Sequence, residues 1–333
     1  MRAVSIFNNK GGVGKTTLLC NLASSLSVHH GKSILVVDAD PQCNATSYVL
    51  SNGTIEEIYE PRNPITINSL VEPFRKGKGS LPENLPIKRS SGFKIDIIVG
   101  DPRLALAEDF LARDWFEARA GEERGIRSTL FFLDILKKCE HYDYVIFDVG
   151  PSLGAINRSV LLASEYFMVP MASDIFSLQA LSNIRVALEE WKDDIEIGIQ
   201  RHNRKNEESE YTDIDFNEKT KFVGYVTQQY TAKMVEGTRV PVKAYESIIK
   251  KIPSRVKTNL TSKFSKNQTF EPKIGEVPYL QSMVPLSQMA NKPIFLLKSS
   301  DGVVGSHFAK VREFDEFISE LSARFIENIE TQE

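Results

Sequence analysis

A run of glycines and lysines, Asn9-Lys10-Gly11-Gly12-Val13-Gly14-Lys15-Thr16-Thr17, lies between a short β-rich segment and a helical pattern. Gly11, Gly12 and Gly14 allow backbone N–H groups to converge on phosphate oxygens, through backbone conformations closed to other residues. A helix that starts near Gly14 aims its positive end at the same oxygens. Lys15 is placed to bridge β- and γ-phosphates, and the Thr16 hydroxyl to ligate Mg²⁺. The phosphate-loop pattern G-x-x-x-x-G-K-[ST] fits in its last part. Its first glycine is replaced by Asn9, and Lys10 stands beside it.

Two further segments supply the acids that phosphoryl transfer needs. Val36-Val37-Asp38-Ala39-Asp40-Pro41-Gln42 ends a β-rich run, and alternation puts Asp38 and Asp40 on one side of an extended chain. One such acid suits the Mg²⁺ shell, and the other suits orientation of the attacking water. Val145-Ile146-Phe147-Asp148 is an apolar run that ends in an acid, the pattern by which Asp148 would hold Mg²⁺ through water.

The elements that must carry these groups are legible around them. Runs 2–8, 33–38, 94–99, 143–148, 165–171 and 222–228 are β-rich with few charges. Helical patterns fill about 15–28, 102–117, 126–139, 154–163, 176–193, 242–258 and 303–328. Strands apolar on both faces, alternating with helices, predict a doubly wound, mostly parallel α/β sheet flanked by helices. Ligands bind such folds at the carboxyl ends of the strands, where all three segments fall. One domain over 1–333 is expected, interrupted by an excursion at 52–92 with a short helix near 68–74, and by an exposed polar loop at 200–221.

Composition narrows the class. The 333 residues are 41 % hydrophobic and 26 % charged, with a net charge of −3, an ordinary globular balance. Cys20, Cys43 and Cys139 lack metal or disulfide spacing. Apolar runs all fall short of the roughly 20 residues of a membrane span, and the chain enters a strand at once without a signal-peptide core. A cytoplasmic location is the expectation.

The lysine-bearing loop KGGVGKTT resembles the deviant Walker A loop of the ParA/MinD-type ATPases. The segments DADPQ, VIFDVGPS, SLGAINRSVLLAS, VPMASDIFSLQAL and VPLSQMANKPIFLL resemble that family's later motifs. The resemblance implies a P-loop NTPase fold, ATP and Mg²⁺ as ligands, and a homodimer that closes on ATP. It implies that Lys10 reaches the partner subunit's nucleotide, that Asp40 positions the water, and that Asp38 lies near Lys15 and the metal. It assigns nucleotide or dimer contacts to Asn157 and adenine contacts to Pro285 or Met289. Where the family has Gly after DPQ, this chain has Cys43. No histidine or glutamate stands out as a general base, so slow hydrolysis and a stimulating partner protein are expected.

Three outputs fit such a switch. Nonspecific DNA binding, as in partition members, would use the basic stretch 242–266, with Lys250, Lys251, Arg255 and Lys257 as its centre and Glu246 as its one acid; nucleoid association would follow. Membrane binding, as in MinD-type members, would use the last helix. Its apolar stripe Phe314, Phe317, Ile318, Leu321 and Phe325 faces an acidic side that anionic lipid repels, so core packing is expected for it. A metabolic ATP-dependent enzyme on the same scaffold is the third.

Overall fold

The computed structural model describes residues 1–77, 79–205, 211, 214–228, 232–235, 238–241, 243–280 and 282–333, with backbone alone for 232–235, 238–241 and 243–245. Its strands are β1 (Arg2–Ile6), β2 (Ile34–Asp38), β3 (Ile87–Ser90), β4 (Ile95–Ile98), β5 (Tyr144–Asp148), β6 (Tyr166–Met171), β7 (Lys221–Gln228), β8 (Ala232–Val235), β9 (Thr238–Pro241) and β10 (Lys273–Val277). Eight of them form one sheet in the order β10-β7-β6-β1-β5-β2-β4-β3, while β8 and β9 pair separately. Within the large sheet every pair is parallel except β3 with β4. All residues of β2, β5 and β6 are buried, as strands covered on both faces require.

Alternating side chains feed two cores. Val4, Ile6, Val36 and Ile146 face α1 (Lys15–His30), α2 (Asn44–Val49), α3 (Asn52–Tyr59), α13 (Met283–Ala290) and α14 (His307–Gln332). Ala3, Leu35, Val37, Val145 and Phe147 face α4 (Ile67–Arg75), α5 (Ala107–Ala120), α6 (Glu123–Thr129), α7 (Phe131–Lys137), α8 (Ala155–Ala163), α9 (Ile175–Lys205) and α11 (Ile252–Val256). A short helix, α10 (Lys243–Ile249), precedes α11, and a π turn at Lys257–Thr261 joins α11 to α12 (Ser262–Phe264).

Register positions the chemistry. Ile6 pairs with Asp148, and Asp148 pairs with Asp38, so three strands end on one row. The glycine-rich loop leaves β1 on that row and is followed at once by α1.

Several expectations change. The excursion at 52–92 holds α3, α4 and the edge strand β3, and Ile67, Leu70, Val71 and Phe74 of α4 enter the core. The polar loop is shorter than expected, because α9 continues to Lys205 on a stripe through Trp191, Ile195, Ile199 and His202. Beyond it Tyr211 and Phe216 are buried; residues 206–210, 212 and 213 lie outside the described residues. Phe314, Ile318, Leu321 and Phe325 are buried against the sheet and α1, which accounts for the apolar stripe of α14.

Candidate nucleotide site

The loop forms because Gly12 and Gly14 take positive φ, 72° and 69°, which a side chain would oppose. Gly14 caps α1, whose first turn carries no acid, so its N–H groups and dipole are free to meet an anion. A cleft of about 370 Å³ opens over the loop. Residues Gly11 to Thr17 floor it, Val13 among them, and Asp40, Pro151, Tyr48 and Gln288 wall it. A second cavity, about 390 Å³, lies at the opposite strand ends between Met1, Leu130, Leu133 and Lys219. Its wall offers no glycine-rich loop for phosphate, so the first cleft is the site with chemistry.

Lys15 is 8 % exposed, and its Nζ donates weakly to the Lys10 carbonyl at 3.3 Å. Burial draws its pKa down, while Asp148 and Asp40 oppose that shift. The Thr16 hydroxyl donates to Asp148 Oδ2 at 2.8 Å. Asp40 accepts from the Gln42 N–H at 3.0 Å and lies against Gly150, where a Cβ would come within 3.3 Å of Oδ1.

Asp38 and Asp148 are fully buried, and each keeps one oxygen without a partner. Asp38 spends its other oxygen on the Thr46 N–H and hydroxyl, at 2.8 and 2.7 Å, which anchors α2 to β2. Burial pushes the Asp38 carboxyl up to about 7, with Asp40 adding to the rise, and burial raises Asp148 as well, with Asp38 adding to it. Two adjacent buried carboxyls with open oxygens hold a net negative charge only if cations arrive. Lys15 is one such cation, and Mg²⁺ fits the remainder. Among the described residues no group of three His, Cys, Asp or Glu side chains forms a cage of its own. Mg²⁺ is commonly held through one or two protein oxygens, waters and substrate phosphates, and the open oxygens of Asp38 and Asp148 fit that donor set.

A stability effect follows from Asp38. A carboxyl whose folded pKa is about 7, against an ordinary 3.8, takes up a proton on folding. The nucleotide-free protein therefore loses stability as pH rises between those values. Asp38→Asn should flatten this slope and raise the melting temperature at pH 8, leaving Asp148's part in place. Equal slopes for variant and parent in melts at pH 5 and pH 8 would refute it.

Other expected site residues lie elsewhere. Lys10 does not project freely beside its glycines, because its ammonium pairs with Asp174, which also accepts from the Ser177 N–H at 3.0 Å and caps α9. Asn157 does not line the cleft; its Nδ2 donates to the Gly150 and Ser152 carbonyls, at 2.8 and 2.7 Å, and shapes the loop after β5. Pro285 is exposed and outside the cleft, and one turn further along α13 Gln288 takes that wall instead. Met289 is also exposed, at 82 %. The basic stretch is partly neutralised: Lys250 pairs with Glu246 one turn back, and two tertiary partners take Lys263 (Glu189) and Lys266 (Glu218). Lys251, Arg255 and Lys257 are exposed and form no ion pair among the described residues. Cys43 adopts φ 53°, the left-handed turn that a glycine would occupy without strain, so the turn into α2 is made despite the side chain.

Some positions gave no sequence signal. Tyr48 is buried and hydrogen-bonds Ser287 and Asn21, at 2.7 and 3.1 Å, which joins α13 to α1 beside the cleft. Glu108 of α5 accepts from the Ala155 and Ile156 N–H groups and caps α8. Tyr48 reaches Ser287 across 239 residues and Glu108 reaches Ala155 across 47, beyond the reach of local spacing.

A glycine loop on β1, a buried lysine, a hydroxyl paired with a strand-end acid and a second acid across the cleft define a P-loop nucleoside triphosphatase. Residues 1–200 match the family model described as AAA domain. The chain belongs to the ParA/MinD-type P-loop ATPases related to the partition ATPases. It is 28 % identical over 254 residues to an uncharacterised protein of Methanocaldococcus jannaschii, covering 76 % of this chain and 82 % of that one. It is 31 % identical over 195 residues to a probable plasmid-partitioning protein ParA of Thermus thermophilus, covering 59 % of this chain. The match spans only 52 % of that relative's length. A solved protein of Corynebacterium diphtheriae superposes with a TM-score of 0.71 at 29 % identity, covering 87 % of this chain and 97 % of its own.

Proposed function

We propose that this chain is an ATP-binding, slowly hydrolysing switch that closes as a homodimer on ATP and binds duplex DNA in that state. The observation that carries the reading is that Lys15, Thr16 and Asp40 line one cleft floored by a glycine loop, with Asp148 buried against the Thr16 hydroxyl and the extra lysine, Lys10, turned away. A single domain over 1–333 is part of the proposal.

Each residue has a task in that cycle. Backbone N–H groups of Gly11 to Thr16 and the Lys15 ammonium hold the phosphates. Thr16 and Asp148 would hold Mg²⁺, with Asp38 behind them; the bound ion would neutralise charge on the phosphates. Asp40, on the cleft wall, orients the attacking water. Lys10 must leave Asp174 to reach the partner's nucleotide, where it offsets negative charge developing on the γ-phosphoryl group. Loss of that group removes the bridge between subunits, and the dimer loosens. With no strong general base in the cleft, turnover is slow, and a partner protein supplies stimulation.

Asp40→Ala should therefore bind ATP, fail to hydrolyse it, and remain dimeric in light scattering long after the parent protein has returned to monomer. A variant that hydrolyses ATP at the parent rate would remove Asp40 from the mechanism.

For the DNA face, Lys251, Arg255 and Lys257 are the exposed, uncommitted cations, and a dimer doubles them. The triple alanine variant should lose most ATP-dependent DNA retention and reduce the salt slope by about one per cation removed. Unchanged retention in a filter assay across salt would exclude this face. Lys243's side chain lies outside the described residues. No helix among the described residues is long and apolar enough to cross a membrane. The stripe that membrane binding would need is in the core. A cytoplasmic, nucleoid-associated location is the one proposed.

A further inference from the structure

Gln228 lies 215 residues from Val13 in sequence, yet it touches the phosphate loop. It is the last residue of β7, and its backbone pairs with Val277 of β10 at the sheet edge. Its side-chain Nε2 donates to the Val13 carbonyl at 2.9 Å. The amide also covers Gly14, where an added Cβ would come within 2.6 Å of Nε2. Gln228 is not part of the cleft wall.

From this geometry we infer that Gln228 is a positioning residue for the phosphate loop. In a trans peptide the C=O and the following N–H point in opposite directions. Drawing the Val13 oxygen toward Gln228, away from the cleft, turns the Gly14 N–H into the cleft, where the phosphates bind. The loop is thus set before nucleotide arrives, and binding loses less in ordering it. The same contact gives a second reason for glycine at 14: any side chain there would displace the amide that holds the loop. This role deepens the ATP-binding reading and rests on it.

Two near-isosteric variants separate hydrogen bonding from packing. Gln228→Met keeps the bulk over Gly14 and removes the donor. Gln228→Glu keeps the shape and can donate only when its carboxyl is protonated. Fluorescent ADP and ATP should each bind about tenfold more weakly to Gln228→Met, equally at pH 5 and pH 8 relative to the parent. Gln228→Glu should bind more weakly still at pH 8, where a carboxylate faces both a carbonyl and the phosphates, and recover toward the parent at pH 5. Parent-like affinity in Gln228→Met, or a Gln228→Glu affinity that ignores pH, would overturn the role. Backbone relaxation at Gly12 to Gly14 in the nucleotide-free protein gives a readout independent of ATP binding. The loop should be rigid in the parent and mobile in Gln228→Met; equal rigidity would overturn the inference even if the parent bound no nucleotide.

Discussion

Lys15→Ala should bind ATP at least about a hundredfold more weakly than the parent while keeping its fold. A charged hydrogen bond to phosphate is worth roughly 1.5–3 kcal/mol, and tenfold in affinity is about 1.4 kcal/mol. Here the loss is compounded. Asp148 and Asp40 are the acids whose charge Lys15 balances, and without it they face the triphosphate uncompensated. The fold should survive, because among the described residues the lysine side chain makes one hydrogen bond to protein, the 3.3 Å contact to the Lys10 carbonyl. Titration with fluorescent ATP checks this, with a melting curve as control. Affinity within a few-fold of the parent would mean that the cleft over the loop is not the ATP site.

Lys10→Ala should show the opposite separation. Its side chain is turned to Asp174 and does not line its own subunit's cleft. ATP should therefore bind nearly as well as to the parent. Hydrolysis should fall by about 10³, the scale of a cationic finger supplied across an interface. Steady-state phosphate release and nucleotide binding, measured on the same preparation, separate the two effects. A parallel loss of affinity would place Lys10 in its own subunit's site.

Much of the candidate site is legible in the sequence because it is local. The glycine loop, Lys15 and Thr16 lie within one strand-to-helix turn, Asp38 and Asp148 each end an apolar run, and Asp40 follows two residues after Asp38. Strand order then brings Asp38 and Asp148 onto one row, which spacing alone does not fix. What sequence reading missed is tertiary. The Lys10–Asp174 pair joins residues 164 apart, and the Gln228 contact to Val13 joins residues 215 apart. The polar run after 193 hid the remainder of α9, because charged residues on the exposed face outnumber the stripe of Ile195, Ile199 and His202 that holds it down. The basic stretch looked uncompensated because Glu189 and Glu218, its tertiary partners, are distant in sequence. The expectations for Asn157 and Pro285 rest on resemblance; in the structure Asn157 holds the loop after β5, and Pro285 is exposed on α13.

The central claim, that two chains share each site, is tested most directly by mixing two inactive variants. Lys10→Ala retains Asp40 but lacks the donated lysine; Asp40→Ala retains the lysine but cannot position water. In a two-fold dimer of one of each, one site regains both groups. Equal mixing before ATP is added should restore about a quarter of the parent rate, since about half the dimers are mixed and one site in each of those is complete. A mixture as inactive as its components would contradict the shared site and place Lys10's action within its own chain.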